Sequence, residues 1–431
     1  MDGIALIAAA GGLLVAVLLL VVVSPERVRG VALAVSIIVL TVFGNNSVPK
    51  AIWVPAFAFV VAILLISVGR TGGVRARGNP MFVLLCCWWG FLAVGILVEH
   101  SYSTLRMSAY FSTVLMVVFV ASRLTRRELR IVLLGLLLTA GIETAWGAIE
   151  LVSNATPIWG YRGDVIRDNP FFNNVTVRAQ GSMGQPIVYG MLMGVGAVIA
   201  WSNDVIELRR SLRYLALAVT VGGVILSGTR SVAAALVVAL AVHLLAKRNL
   251  ARWLRNVLVG AALAGIVAIL NFGLTALING LITSGSWTHR ISSIASVPAL
   301  LARPPLQAIW GSGFGSEVSL FDKGYIKTTY GLKVVDDLFV YLLGTTGVVG
   351  LVLFLALCAY AFFRATRQGK ALITFCVCMF FSFDVLVWTY SGILLSLCLA
   401  LPGRRDAAHR EQPEEASSEA RLQAPSLRLP V

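Results

Sequence analysis

Between Tyr214 and Ala246 the chain reads YLALAVTVGGVILSGTRSVAAALVVALAVHLLA, an apolar run interrupted by Ser227-Gly228-Thr229-Arg230-Ser231. The run is too long for one ordinary membrane helix. Split at the polar break, each half has about 14 residues, roughly 21 Å of helix, against a hydrocarbon core of roughly 30 Å. This predicts a hairpin of two short helices that holds Arg230 below one membrane surface. A guanidinium at that depth costs about 2.5–3.5 kcal/mol unless it meets a polar cavity or a fixed anion. The break therefore points to a recessed anion site.

The rest of the chain supplies the setting. Its 431 residues are 58% hydrophobic and 13% charged, which excludes an ordinary soluble domain and predicts an all-α polytopic membrane protein. Apolar segments of spanning length recur from Ile4–Val23 to Leu401. No basic residue precedes Ile4–Val23 and no small-residue cleavage site follows it, so it reads as a retained first span and not as a removed signal peptide. The formal charge of +15 does not indicate nucleic acid, because the basic residues fall in short clusters between apolar runs, as the positive-inside rule requires. The six cysteines all lie in predicted spans with no Cys-x-x-Cys pair and read as small packing residues.

Basic clusters at Arg27/Arg29, Arg70/Arg75/Arg77, Arg123/Arg126/Arg127/Arg130, Arg209/Arg210/Arg213, Lys247/Arg248/Arg252/Arg255 and Arg364/Arg367/Lys370 are separated by pairs of spans or by one long interrupted stretch. All of them fit the cytoplasmic side. The N-terminus and the longer loops 153–185 and 276–335 then face outward. The last apolar stretch, Ala371–Leu401, exceeds one span and carries Asp384 near its middle, so two short helices with an outer turn near Asp384 are expected. This gives twelve or thirteen transmembrane helices over residues 1–401. Residues 402–431, rich in charge, Pro, Ala and Ser, form a disordered cytoplasmic tail.

Chemistry-bearing residues concentrate in the two long loops. The first ends Arg178-Ala179-Gln180-Gly181-Ser182-Met183-Gly184-Gln185-Pro186; Pro186 suits a helix start, and the glycines let backbone approach a ligand. The second contains His289, Arg290, Arg303 and the run Trp310-Gly311-Ser312-Gly313-Phe314-Gly315. That run is no dinucleotide fingerprint, since neither a strand nor a βαβ unit surrounds it. Residues 291–302 alternate small polar and apolar types and suit a position along the membrane surface. Asp336-Asp337 then opens a long apolar helix. Acidic residues there are ordinary caps, yet adjacent positions point about 100° apart, so one can cap while the other acts as a base. Glu143 and Glu150, seven residues apart, share a helix face and are expected to meet Arg106 or Arg178, or to bridge helices.

The order Arg178…Gly181…Gln185-Pro186, Ser227-x-Thr229-Arg230, Arg290, Trp310-Gly-Ser-Gly-Phe-Gly, Asp336-Asp337…Gly347-Val-Val-Gly350 resembles the O-antigen ligase and polysaccharide polymerase family of bacterial membrane glycosyltransferases. The resemblance spans roughly Arg178–Gly350. It implies transfer of a glycan from a polyprenyl-pyrophosphate carrier at the outer face of the plasma membrane, with Arg178, Arg230 and Arg290 gripping the pyrophosphate. Gln185 and Arg303 complete the expected substrate-binding set. The ligases commonly carry His-Asn where this chain has Asp336-Asp337. That departure favours a polymerase of carrier-linked repeat units over a ligase acting on a lipid or cell-wall acceptor.

Pyrophosphate leaves without protonation, so no general acid is required and no metal or other cofactor is expected where arginines supply the positive charge. The acceptor hydroxyl still benefits from a base, for which Asp336, then Asp337, then His289 are the candidates. The expected partners are the polyprenyl-pyrophosphate-linked oligosaccharide, membrane lipid, and a flippase or chain-length regulator. From a different class, broken helices and buried charge also suit a transporter or flippase for a lipid-linked or anionic solute.

Overall fold

A computed structural model describes residues 22–71, 80–98, 104–161, 168–172, 176–246, 285–327, 333–401 and 403. Most of the expected first span, Arg75, Arg77, Arg162, Asp164, Arg167, Lys247, Arg248, Arg252, Arg255 and nearly all of the tail lie outside these residues. Among the described residues the fold is all-α, with no strand beyond an isolated antiparallel bridge between Asp168 and Val177. The first half comprises α1 (Val28–Phe43), α2 (Lys50–Arg70), α3 (Pro80–Val98), α4 (Thr104–Ala121), α5 (Arg126–Ser153), α6 (Pro186–Ser202), α7 (Arg210–Ser227) and α8 (Arg230–Leu245). Four short helices follow: α9 (Gly285–Ile294), α10 (Val297–Leu301), α11 (Pro305–Trp310) and α12 (Glu317–Asp322). The long α13 (Leu338–Arg364) leads to α14 (Arg367–Met379) and α15 (Thr389–Ala400).

Four of these, α2, α5, α7 and α13, are long and apolar enough to cross a membrane. Two short helices form the centre. In α6 only Ile187 and Trp201 escape full burial, and α15 is buried along its whole length. Helices apolar on every face must be surrounded by others, and α6 packs on α5, α7, α8, α14 and α15. Small residues permit the approach: a Cβ on Gly194 would meet the Phe375 ring at 2.1 Å. At the opposite end of α5 from the loop 168–185, Thr125 and Glu128 form a reciprocal capping box. Glu128 also accepts from Arg29 Nε at 2.9 Å and Nη2 at 2.8 Å, which ties α1 to α5.

The last apolar stretch divides as expected, into α14 and α15 with Asp384 in the connection. The helix opening after Asp336-Asp337 differs from expectation, because α13 is interrupted at Gly347 (φ 66°, ψ −171°). The ends of the bundle can also be matched. His243, near the C-terminus of α8, meets the Arg367 backbone at the start of α14, and the two helices pack together, so they run antiparallel. Leu338 N–H donates to Phe380 O at 2.8 Å, just past the C-terminus of α14. The start of α8 and the start of α13 therefore lie at the same end of the molecule.

Candidate functional site

The polar break between α7 and α8 is built by the loop that precedes α6. Gly228 ends α7 at φ 60°, and a Cβ there would meet Asn169 Oδ1 at 2.8 Å and Arg178 Cγ at 2.9 Å. The carbonyls freed at the end of α7 all find donors, as a buried helix end requires. Asn169 Nδ2 donates to Ile225 O and Leu226 O, both at 3.0 Å. Ala179 N–H also donates to Leu226 O, at 3.0 Å. Arg178 Nε donates to Ser227 O at 2.8 Å and its Nη2 to Thr229 Oγ1 at 2.7 Å.

Arg178 is thus brought beside Arg230, the first residue of α8. The length expected of the two helices is corrected. The helices have 18 and 16 residues, about 27 and 24 Å, because α7 starts inside the basic cluster at Arg210 and α8 includes Arg230 itself. Long basic side chains let a helix continue past its apolar boundary. The break buries Ser227 and Thr229, while Arg230 is exposed, with no carboxylate paired to it among the described residues. Thr229 occupies the N-cap of α8 without a side-chain cap bond, and the buried Ser231 Oγ has no hydrogen-bond partner among the described residues. Helix N-terminal amides and an exposed guanidinium together suit a negatively charged ligand.

The loop is anchored from beneath by the two acids of α5. Glu150 Oε2 accepts from Gln180 N–H at 3.0 Å and Gly181 N–H at 3.3 Å. Glu143 accepts from Ser182 N–H at 2.9 Å and Ser182 Oγ at 2.5 Å. A Cβ on Gly181 (φ 58°) would lie 2.0 Å from Glu143 Oε2, which requires glycine at this contact. These acids bridge a helix to a loop. Arg106, their other expected partner, donates instead to Asn45 O at 2.7 Å and Asn46 O at 3.2 Å. Gln185 ends the loop at the N-cap of α6, before Pro186.

A second group gathers at the start of α13. Asp337 is the N-cap, its Oδ1 accepting from Val340 N–H at 3.0 Å. Burial pushes its carboxyl above the usual range, against the opposing effect of the Val340 and Phe339 amides and Arg290. Burial likewise lowers Arg290, opposed by the charges of Asp336 and then Asp337. Arg290 Nη2 donates weakly to Ser382 O at 3.4 Å, and its buried Nε has no hydrogen-bond partner among the described residues. Asp336, less buried than Asp337, is the better placed of the pair for a solvent-borne substrate. Asp384 joins this group, within electrostatic reach of Asp336 and Glu317, with Oδ1 accepting from Trp388 Nε1 at 3.0 Å. Its mid-stretch position in an apolar run was the only sequence signal for it. Trp388 also lines a cavity of about 10 Å³ with Met183 and Asn45, linking this group to the loop before α6.

Arg303 stands apart. It is 3% exposed, and its guanidinium donates to Leu300 O (2.8 Å), Ser312 Oγ (3.0 Å), Gly344 O (2.8 Å) and Leu343 O (2.9 Å). Those last two carbonyls belong to the interrupted turn of α13, so Arg303 caps a broken helix and is not presented to a ligand. The side chain of His289 lies outside the described residues. The remaining candidates, Arg178, Gln185 and Arg230 on one hand and Arg290, Asp336 and Asp337 on the other, stand at one end of the bundle. Comparison of the chain with protein-family models and with curated proteins found no match.

Proposed function

We propose that this chain is a polytopic glycosyltransferase of the bacterial plasma membrane that polymerises polyprenyl-pyrophosphate-linked oligosaccharide repeat units at the outer face. The observation that carries the reading is the α8 N-terminus. There Arg230 is exposed next to Thr229, whose hydroxyl accepts from Arg178, at the same end as Arg290 and Asp336. The four helices of spanning length and the shorter apolar helices support the membrane setting. In this reading the acceptor hydroxyl attacks the anomeric carbon, its proton passes to the Asp336 carboxylate, and the bond from that carbon to the pyrophosphate oxygen breaks. The electron pair leaves with the pyrophosphate, whose growing charge is stabilised by guanidinium groups and helix amides. A single displacement inverts the anomeric configuration.

The test uses purified full-length protein and a defined carrier-linked repeat unit, with released polyprenyl pyrophosphate and product length as readouts. Chain growth supports the polymerase. Transfer of finished glycan to a separate acceptor supports the ligase alternative. Movement of donor across sealed vesicles without bond cleavage supports a transporter, which the interruption of α13 also suits. Asp336→Asn is expected to lower turnover by about 10²-fold or more with donor binding retained; unchanged turnover would remove Asp336 from the chemistry. Activity is expected to persist in a chelator, since arginines supply the positive charge.

A further inference from the structure

A cavity of about 480 Å³ lies between α3, α11 and the interrupted turn of α13, within the usual range for a small-molecule site. Phe91 and Val94 of α3, Trp310 of α11 and Phe314 form its apolar lining, while Thr346 and Lys323 contribute polar groups. Leu306, Ile309 and Trp310, all on α11 beside it, are exposed, as is Val94. In a membrane these exposed apolar side chains meet hydrocarbon, so the mouth of the cavity opens to lipid chains and not to water. Lys323 has no acidic partner among the described residues, whereas its neighbour Asp322 is paired with Lys333. The cavity and the arginine-lined break lie on different helices: α3 and α11 both lie against α13, whereas α7 lies against α5 and α6, and α8 against α6 and α14.

We infer that this cavity holds one acyl chain of an anionic phospholipid, with the lipid phosphate at Lys323. A phosphodiester carries a single negative charge, which one lysine balances as a point charge; a pyrophosphate calls for the forked donors found elsewhere in the molecule. The bound chain fills the space beside the turn at Gly347 and covers apolar surface that the helices leave open. This inference is independent of the proposed glycosyl transfer.

The test is lipid titration of the full-length protein in nonionic detergent, followed by native mass spectrometry, with phosphatidylglycerol and phosphatidylcholine as probes. Wild type is expected to bind phosphatidylglycerol the more tightly. Lys323→Ala is expected to weaken phosphatidylglycerol about fivefold and phosphatidylcholine less, because choline already offsets the charge of its phosphate. Val94→Trp, which fills the mouth from an exposed position, is expected to weaken both. Circular dichroism checks that each variant folds; should Val94→Trp misfold, the lysine variant decides alone. Equal binding of phosphatidylglycerol by wild type and Lys323→Ala would overturn the inference. So would one-for-one displacement of phosphatidylglycerol by undecaprenyl phosphate, which would assign the cavity to the carrier instead.

Discussion

Gly228, between α7 and α8, and Gly347, within α13, both interrupt helices at positive φ and leave opposite surfaces behind. Each glycine has positive φ, 60° and 66°, and at each an arginine from a distant segment donates to the freed carbonyls. At Gly347 the interruption is closed. Arg303 meets Leu343 O and Gly344 O, Ser312 N–H donates to Gly344 O at 3.2 Å and Gly313 N–H to Thr345 O at 2.8 Å. At Gly228 the carbonyls are closed by Asn169, Ala179 and Arg178, but the next helix starts with an exposed arginine and a hydroxyl that has no partner among the described residues. Charge inside an apolar bundle therefore has two separate uses. One completes the backbone's hydrogen bonding; the other is left for a ligand.

Substitutions at the two breaks separate those uses, taken from the largest effect downward. Arg230→Ala is expected to reduce release of polyprenyl pyrophosphate about 10²–10³-fold with membrane insertion unchanged, and Arg230→Lys to recover little because the fork is lost. Full turnover in the alanine variant would make the two breaks equivalent and both structural. Arg303→Ala is expected to cost about 3 kcal/mol of stability, read by thermal unfolding in detergent, because it strands buried carbonyls. Normal stability with lost turnover would instead return Arg303 to the ligand site. Gly347→Ala is expected to destabilise more than Gly228→Ala, since its Cβ would meet the Ile309 carbonyl at 2.3 Å, whereas the Gly228 Cβ meets side chains that can shift. The smaller of the two, from left-handed backbone strain, is about 1–2 kcal/mol.

The break at 227–231 was readable because five small or polar residues interrupt an apolar run. The one at Gly347 was not, because the run Gly344-Thr345-Thr346-Gly347 carries no charge, and threonine hydroxyls bond back to their own helix, here to Tyr341 O and Leu342 O. Helix class followed from composition, but helix length did not: apolar boundaries underestimate α7, whose first turn lies among arginines. The shared face of Glu143 and Glu150 followed from their spacing, while their partners, the amides of residues 180–182, depend on how a distant loop returns. Arg303 shows the same limit. Sequence reports a charge and its depth, not the direction of the side chain, and only the carbonyls around Arg303 reveal that its donors are engaged.

The smallest effect concerns the other end of the turn that Arg303 closes. Leu338–Thr346 is a half-helix with Asp337 at its N-cap and Arg303 at its C-terminal carbonyls, an arrangement that suits the helix dipole at both ends. Burial nevertheless raises the Asp337 carboxyl above its ordinary value of 3.8. The folded state then holds this proton over a range where the unfolded chain has released it. The contribution of Asp337 to stability is therefore greatest below pH 3.8 and declines as pH rises from there through the folded value. Asp337→Asn keeps an equally good cap and removes the titration. Thermal unfolding of wild type and variant should show the wild-type curve falling relative to the variant as pH rises from 3.8. Parallel curves would mean that the cap amides and Arg290 hold the carboxylate charged throughout, making this end of the half-helix as fully compensated as the end at Arg303.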